Sequence, residues 1–219
     1  MGEPDRLSGV KNTLMTNQLI WNGNMNIARG ITFVAVGLLL VSTSTGQSNA
    51  KDEKQTVEKK QKFSVADGWL TFEAPANWKK VPPKVNFIHA DFTIPKTEGD
   101  VRDGRISFSH VGGSTEANLD RWIGQFKNVD PDDEKQVEKT TKKIDGQTVH
   151  FVRISGTFLD SAGGPFGPKT ERENYLLIGA AVESEDGTNV YIKAYGPEKT
   201  MIANKKAIGE LFEGMKATD

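Results

Sequence analysis

The side chains of this chain that could do chemistry are few and widely spaced. The stretch Gly163-Gly164-Pro165-Phe166-Gly167-Pro168-Lys169-Thr170 departs at one position from the phosphate-loop pattern G-x-x-x-x-G-K-[ST]. In that pattern, consecutive backbone N–H groups and a lysine cradle nucleotide phosphates. The departing position is Pro168, which has no N–H to offer and a fixed φ. A phosphate loop also opens a helix, whereas the residues after Thr170 read as a strand. No nucleotide or other cofactor is expected, and the stretch reads as a surface loop between antiparallel strands. Because long loops often carry function, Gly163, Gly164, Pro165, Phe166, Gly167, Pro168 and Lys169 form the candidate partner- or ligand-binding loop. A structural lid over the domain, with Phe166 folded back, is the plainer role.

The remaining chemical groups do not converge in sequence. His89, His110 and His150 show neither H-x-H nor H-E-x-x-H spacing, and zinc needs imidazole and carboxylate ligands brought together. His89 and Asp91, two apart, read as a solvated polar strand face. His110 and His150 sit beside apolar neighbours and read as strand residues with hydrogen-bonded rings. There is no G-x-S-x-G elbow, and Gly112-Gly113-Ser114-Thr115 reads as a helix cap. Asp130, Asp132, Asp133 and Glu134 are interrupted by Pro131 and lack the calcium-loop pattern, so they read as a solvated loop. Tyr191, Lys193 and Tyr195 share a strand face that either supports a helix or presents a partner surface. No catalytic residue and no metal-ligand set emerges.

Bulk composition narrows the classes further. The chain has 219 residues, a formal charge of −1 and no cysteine. It suits one domain with additional segments. Near-neutral charge argues against nucleic acid, whose binders carry a basic stripe. Without cysteine there is no disulfide, thiolate metal site or cysteine nucleophile.

The N-terminal third sets a destination. Met25 to Gly30 carries one positive charge, and the apolar run Ile31 to Val41 follows, 11 residues long. That length falls within the roughly 7–15 of a signal-peptide core and below the about 20 of a membrane span. The small residues Ser48-Asn49-Ala50 then place cleavage after Ala50. Residues 25–50 are therefore expected to be a signal peptide, and the protein to be exported, periplasmic or extracellular. The alternative is an uncleaved anchor at residues 31–41, the only expected contact with a membrane. Residues 1–24 have no place in such a signal, and translation is expected to start at Met25. Residues 51–62, Lys-Asp-Glu-Lys-Gln-Thr-Val-Glu-Lys-Lys-Gln-Lys, offer almost nothing apolar to bury and read as a disordered linker.

The folded domain is expected over residues 63–219, and two periodicities organise it. Strand-like runs occupy Gly68–Pro75, Val85–Pro95 and Arg105–Val111. Leu119, Trp122, Ile123 and Phe126 then fall at helical spacing behind a Ser114 or Thr115 cap. Lys135–Ile144 and Gln147–Phe158 follow, joined by Asp145-Gly146, a hairpin signal. The first of this pair is lysine-studded and suits a sheet edge. Asn174–Val182 is apolar on both faces, as a central strand should be, and Asn189–Tyr195 returns the chain. Ile208, Leu211, Phe212 and Met215 make a second helical stripe, which Met201 extends backwards and Asn204 interrupts. Gly209 and Gly214 are expected to weaken that helix. With so few helices the sheet must be mostly antiparallel, so the class is α+β with two amphipathic helices.

The run Leu70-Thr71-Phe72-Glu73-Ala74-Pro75-Ala76-Asn77-Trp78 carries the spacing F-x-x-P-x-x-W. It resembles the opening of the Mog/PsbP-like superfamily, as does the element order β-β-β-α-β-β-β-β-α, over roughly Phe63 to Lys216. The resemblance implies a central antiparallel sheet between helical layers, an α/β/α sandwich. It also implies an accessory or partner-binding role, and it carries over no catalytic residue. The expectation is an exported, non-enzymatic binding module with a protein partner. Two rivals stand beside it. One is a ligand- or metal-dependent enzyme assembled only in three dimensions, around His89, Asp91 and His110. The other is a cell-envelope structural protein held by residues 31–41.

Overall fold

A computed structural model describes residues 59–161 and 167–218, which belong to the compact unit Lys54–Asp219. The signal segment, its cleavage point after Ala50, the segment 1–24 and loop residues Gly163 to Phe166 lie outside the described residues. No helix among the described residues is long and apolar enough to cross a membrane.

The chain orders itself around alternating strands. β1 (Gln61–Val65) and β2 (Leu70–Ala74) form a hairpin, and short β3 (Lys79–Lys80) follows. Next come β4 (Ile88–Ile94), β5 (Gly104–Gly112), α1 (Thr115–Ile123) and short β6 (Phe126–Lys127). β7 (Val137–Ile144), β8 (Gln147–Asp160), β9 (Thr170–Val182) and β10 (Thr188–Pro197) complete the large sheet. α2 (Glu198–Ala203), α3 (Lys205–Glu213) and β11 (Lys216–Ala217) close the chain. The large sheet runs β3-β4-β5-β10-β9-β8, with β6 and β7 each pairing the far edge of β8, and every pairing is antiparallel. A small sheet, β1-β2-β11, is antiparallel too. The class is α+β, a mostly antiparallel sheet with helices.

One face of the large sheet is dry. Phe63 of β1 lies 4.9 Å from both Phe92 and Phe108 by ring centroids, and Phe72 lies 5.0 Å from Phe108. This cluster fastens the small sheet to β4 and β5. Met201, Ile208, Leu211 and Phe212 cover the neighbouring strands and are at most 3% exposed. Burying such side chains is worth roughly 1.5–3 kcal/mol each before entropy is charged against it. The F-x-x-P-x-x-W spacing has a physical role here. Phe72 enters the core, Pro75 follows the end of β2, and Trp78 fills the space beyond it at 2% exposure. Gln61 Nε2 donates to the carbonyls of Pro75 (2.8 Å) and Trp78 (2.7 Å), tying β1 to that turn.

The other face carries α1. Ser114 caps it, its hydroxyl accepting from the Ala117 N–H at 3.2 Å. Leu119, Trp122 and Ile123 point down from it onto β8, β9 and β10. Gly179 of β9 gives the indole its slot, since a Cβ there would meet Trp122 Cζ3 at 2.3 Å. Asp145 and Gly146 take positive φ, 46° and 80°, as the two-residue β7–β8 turn requires.

Several expectations are corrected. The first strand starts at Gln61 rather than near Phe63, so the expected linker gives up its last two residues to the sheet. Val85 to Phe87 stay outside β4, with Phe87 53% exposed. The first helix stops at Gly124, so Phe126 leaves the helical stripe and instead pairs with Phe158, rings 5.4 Å apart. The closing helix is two. Asn204 breaks it with φ −94° and ψ 3°, donating from Nδ2 to Thr200 O (2.9 Å) and accepting from Trp78 Nε1 (3.2 Å). Gly214 ends α3 rather than weakening its middle, and Met215 is buried beyond it.

Candidate functional site

α1 covers only part of its sheet face, and the uncovered part is polar. Three devices shape it. First, β8 and β9 are irregular between Gly156 and Phe158, opposite Asn174, whose φ is 54°. Such a bulge bends a strand and re-aims its side chains. Here Phe158 stacks on Tyr175 (5.8 Å, 5° between planes) and lies 5.1 Å from Tyr195. Beyond the bulge, Asp160 accepts from Arg172 Nε and Nη2, both at 3.3 Å.

Second, the β4–β5 loop is pinned to the start of α2. Asp100 accepts from the N–H (2.8 Å) and hydroxyl (2.5 Å) of Thr200. This carboxylate serves α2 as an N-terminal cap supplied from another part of the chain. The Thr97 N–H donates to Thr200 Oγ1 at 3.0 Å, and the Lys96 N–H to Asp103 Oδ1 at 3.0 Å. The loop thereby presents Lys96, Val101 and Arg102 at one fixed rim.

Third, Asp91 and Arg105 form the floor. Asp91 is 3% exposed. It accepts from Arg105 Nε at 2.9 Å and Nη2 at 2.6 Å, a fork-on-fork pair. Arg105 Nη1 reaches the Tyr195 hydroxyl at 3.4 Å. The bond to Asp91 is the main reason the guanidinium is held still further above its already high pKa, against the opposing effect of burial.

The result is a cleft of about 420 Å³. Its floor and walls come from Arg105, Tyr175, Tyr195, Gly196 and Asp160, and its rim from Lys96, Val101, Arg102 and Asp103. Lys193, next to Tyr195 on the same face, donates to Gln125 Oε1 just past α1. Its Nζ lies 5.1 Å from the Phe158 ring and 4.6 Å from the Tyr195 ring. Those ring faces favour an ammonium, but loss of water outweighs them. Burial first, and then the charges of Arg121 and Arg105, lower the Lys193 pKa to about 7. Burial likewise raises that of Tyr175.

The structure redistributes the residues singled out in the sequence. His89 and His110 do meet, ring centroids 5.6 Å apart. Each imidazole is tied to backbone: His89 Nδ1 accepts from the Ala66 N–H (3.0 Å), and His110 Nε2 sits 2.9 Å from Thr188 O. Asp91 does not join them, because the irregularity between Ile88 and Ala90 separates its side chain from the histidines. The polar face expected of His89 and Asp91 is therefore not a solvated one. No three His, Asp or Glu side chains gather to hold a metal among the described residues. His150 shares its Nδ1 with Thr141 Oγ1 at 3.0 Å, and its Nε2 lies 3.0 Å from Glu183 Oε1 without hydrogen-bond alignment. Asp133 is engaged locally by Gln136 and the Lys135 N–H. Of the candidate loop, Gly167, Pro168 and Lys169 lead directly into β9, and Thr170 opens a strand as expected. Tyr191 packs under Trp122, Tyr195 lines the cleft, and Lys193 lies beside it against the Tyr195 ring.

Sequence reasoning missed Arg105, Asp160, Arg172 and the rim residues. One signal was available: Asp91 stands between Ala90 and Phe92 as the one carboxylate of β4, and a carboxylate buried there demands a cation.

No protein-family model matches the chain, and no curated protein matches it. Solved structures similar to it include the solution structure of cyanobacterial PsbP (CyanoP) from Synechocystis sp. PCC 6803, at 13% identity and a TM-score of 0.46, covering 80% of this chain and 98% of that one. LpqN, involved in cell envelope biogenesis of Mycobacterium tuberculosis, is 11% identical with a TM-score of 0.44, covering 74% and 91%. The Saccharomyces cerevisiae Ran-binding protein Mog1p is 9% identical with a TM-score of 0.42, covering 74% and 97%.

Proposed function

We propose that this chain is an exported, non-enzymatic binding or accessory module whose partner is a protein. The observation that carries the reading is the fork-on-fork pair of Asp91 and Arg105. Its carboxylate is consumed in holding a cation still, which is the arrangement of a receptor rather than of a general base. Asp160 is likewise engaged by Arg172. The cleft is open at a rim bearing Val101, 84% exposed. Export is supported by the apolar run Ile31–Val41 and the small residues before Lys51. The candidate loop Gly163–Lys169 leaves from Asp160, a cleft residue, and its part in binding is proposed on that ground.

A second reading has one observation in its favour. Lys193, with a pKa near 7 beside a cleft, has the chemistry of a catalytic amine. Its ammonium is however occupied by Gln125 and two rings rather than facing the cleft.

The test is affinity capture with C-terminally tagged full-length chain, produced in its host so that any processing occurs, alongside Lys193→Met. One protein recovered by both forms supports the module reading. Turnover of a metabolite that Lys193→Met abolishes would support the enzyme instead.

A further inference from the structure

We propose that the cleft over Arg105 and Tyr195 binds a single carboxylate, presented next to an apolar side chain by an acidic segment of the protein partner. The inference rests on the protein-binding reading and names the chemistry of that contact.

The donors are prepared in advance. A guanidinium carries five N–H groups in a rigid fork. Asp91 takes the Nε and one Nη2 hydrogen and the Tyr195 hydroxyl accepts one from Nη1, which leaves one hydrogen on each of Nη1 and Nη2 for a ligand. Arg105 is 39% exposed through its side chain, so those hydrogens are reachable. The Tyr195 hydroxyl stands beside Nη1 and supplies a further donor. Because Asp91 is buried, the fork cannot swing away, and a ligand would meet a cation whose ordering is already complete.

Charge selects the kind of anion. Three cations line the cleft, Lys96, Arg102 and Arg105, against two carboxylates, Asp103 and Asp160. One net positive charge is left, and Asp91 behind Arg105 is cancelled by Arg172 behind Asp160. A monoanion balances this lining, whereas a phosphate dianion would face Asp103 and Asp160 with too little compensation. Neither Lys96 nor Arg102 has an ion-pair partner among the described residues, so both rim charges are available. Beside them Val101 exposes its side chain, and an edge of the largely buried Tyr175 lines the cleft. These suit a leucine- or valine-like neighbour of the acid.

The experiment titrates ¹⁵N-labelled full-length chain with four probes, followed by amide shifts. They are acetyl-Leu-Glu-Leu-amide, the matching Gln peptide-amide, the Gln peptide with a free C-terminus, and inorganic phosphate. The expected result is saturable shifts centred on Arg105, Tyr195 and Gly196 with the Glu peptide, and binding about tenfold weaker for the Gln peptide-amide. Equal or better binding of the free C-terminus also supports the site and identifies a chain end as its source. Arg105→Lys keeps a charge for Asp91 but loses the planar edge, and should weaken binding about tenfold. Arg102→Gln alters only the rim, cannot disturb the fold, and should weaken it about threefold. The proposal is overturned if no carboxylate shifts the cleft amides, if phosphate binds better than the Glu peptide, or if Arg102→Gln binds unchanged. A captured partner whose binding ignores Arg102→Gln and Arg105→Lys would overturn this site while leaving the module reading intact.

Discussion

The indole of Trp122 occupies the space where any side chain at position 179 would stand. A Cβ on Gly179 would meet Trp122 Cζ3 at 2.3 Å and Cε3 at 2.5 Å. This one void fixes how deeply α1 sits on β9. Gly179→Ala should therefore destabilise the domain by at least about 2 kcal/mol through overpacking, lowering Tm by roughly 4–8 °C for a chain of this size. Trp122→Phe in the same chain should recover part of the loss. Calorimetry of the two variants and their combination checks it.

The pair at the cleft floor should respond asymmetrically. Arg105→Met strands Asp91, only 3% exposed, and should cost on the order of 3 kcal/mol. Asp91→Ala leaves Arg105, whose side chain is 39% exposed and can turn to water, so it should cost markedly less. The double variant should be more stable than Arg105→Met alone. A denaturant-unfolding double-mutant cycle measures the coupling.

Those two residues also show what could be read in advance and what could not. Period-two alternation located β4 and β5, a run apolar on both faces located the centre of β9, and the Asp145-Gly146 turn and the Ser114 cap are local chemistry that a sequence states openly. The F-x-x-P-x-x-W spacing has a reason visible in its packing. β1 escaped notice because Gln61 and Lys62 belong to a charged run, and only antiparallel pairing with β2, Gln61 opposite Ala74 and Lys62 opposite Glu73, makes that run a strand. The cleft escaped for the same reason: Asp91 meets Arg105 through cross-strand register after an irregularity between Ile88 and Ala90, and neither register nor bulge is written in local periodicity. Asn204 shows the intermediate case, noticed as a flaw in a helical stripe but explained only by the indole of Trp78.

Lys193 sets a pH dependence. Its pKa is lowered to about 7 from 10.5. Below pH 7 both folded and unfolded chains hold the proton, and the cost of burying the ammonium is fully present. Between about pH 7 and 10.5 the unfolded chain holds more protons, so stability should rise with pH, by at most about 1.4 kcal/mol per unit. Lys193→Met should flatten this rise and be the more stable protein at pH 6.5. Urea unfolding from pH 6.5 to 9.5 reads it, below the range where Tyr175 titrates.

Asp100 joins the rim to α2, so its loss should be felt in both. Asp100→Ala should destabilise the domain by about 1 kcal/mol, as a lost cap does. It should also speed amide exchange at Thr200 and across residues 97–103. Hydrogen exchange by mass spectrometry distinguishes this from uniform loosening.

A chain that works by holding a protein partner at the cleft must touch that partner at the cleft rim. Site-specific photocrosslinking in the host tests it most directly, with the crosslinker at Val101 on the rim or at Lys206 on α3, whose side chain is 90% exposed. One protein adduct is expected from position 101, none of that adduct from position 206, and its loss with Arg105→Lys. The same adduct from both positions, or none from position 101, would contradict it.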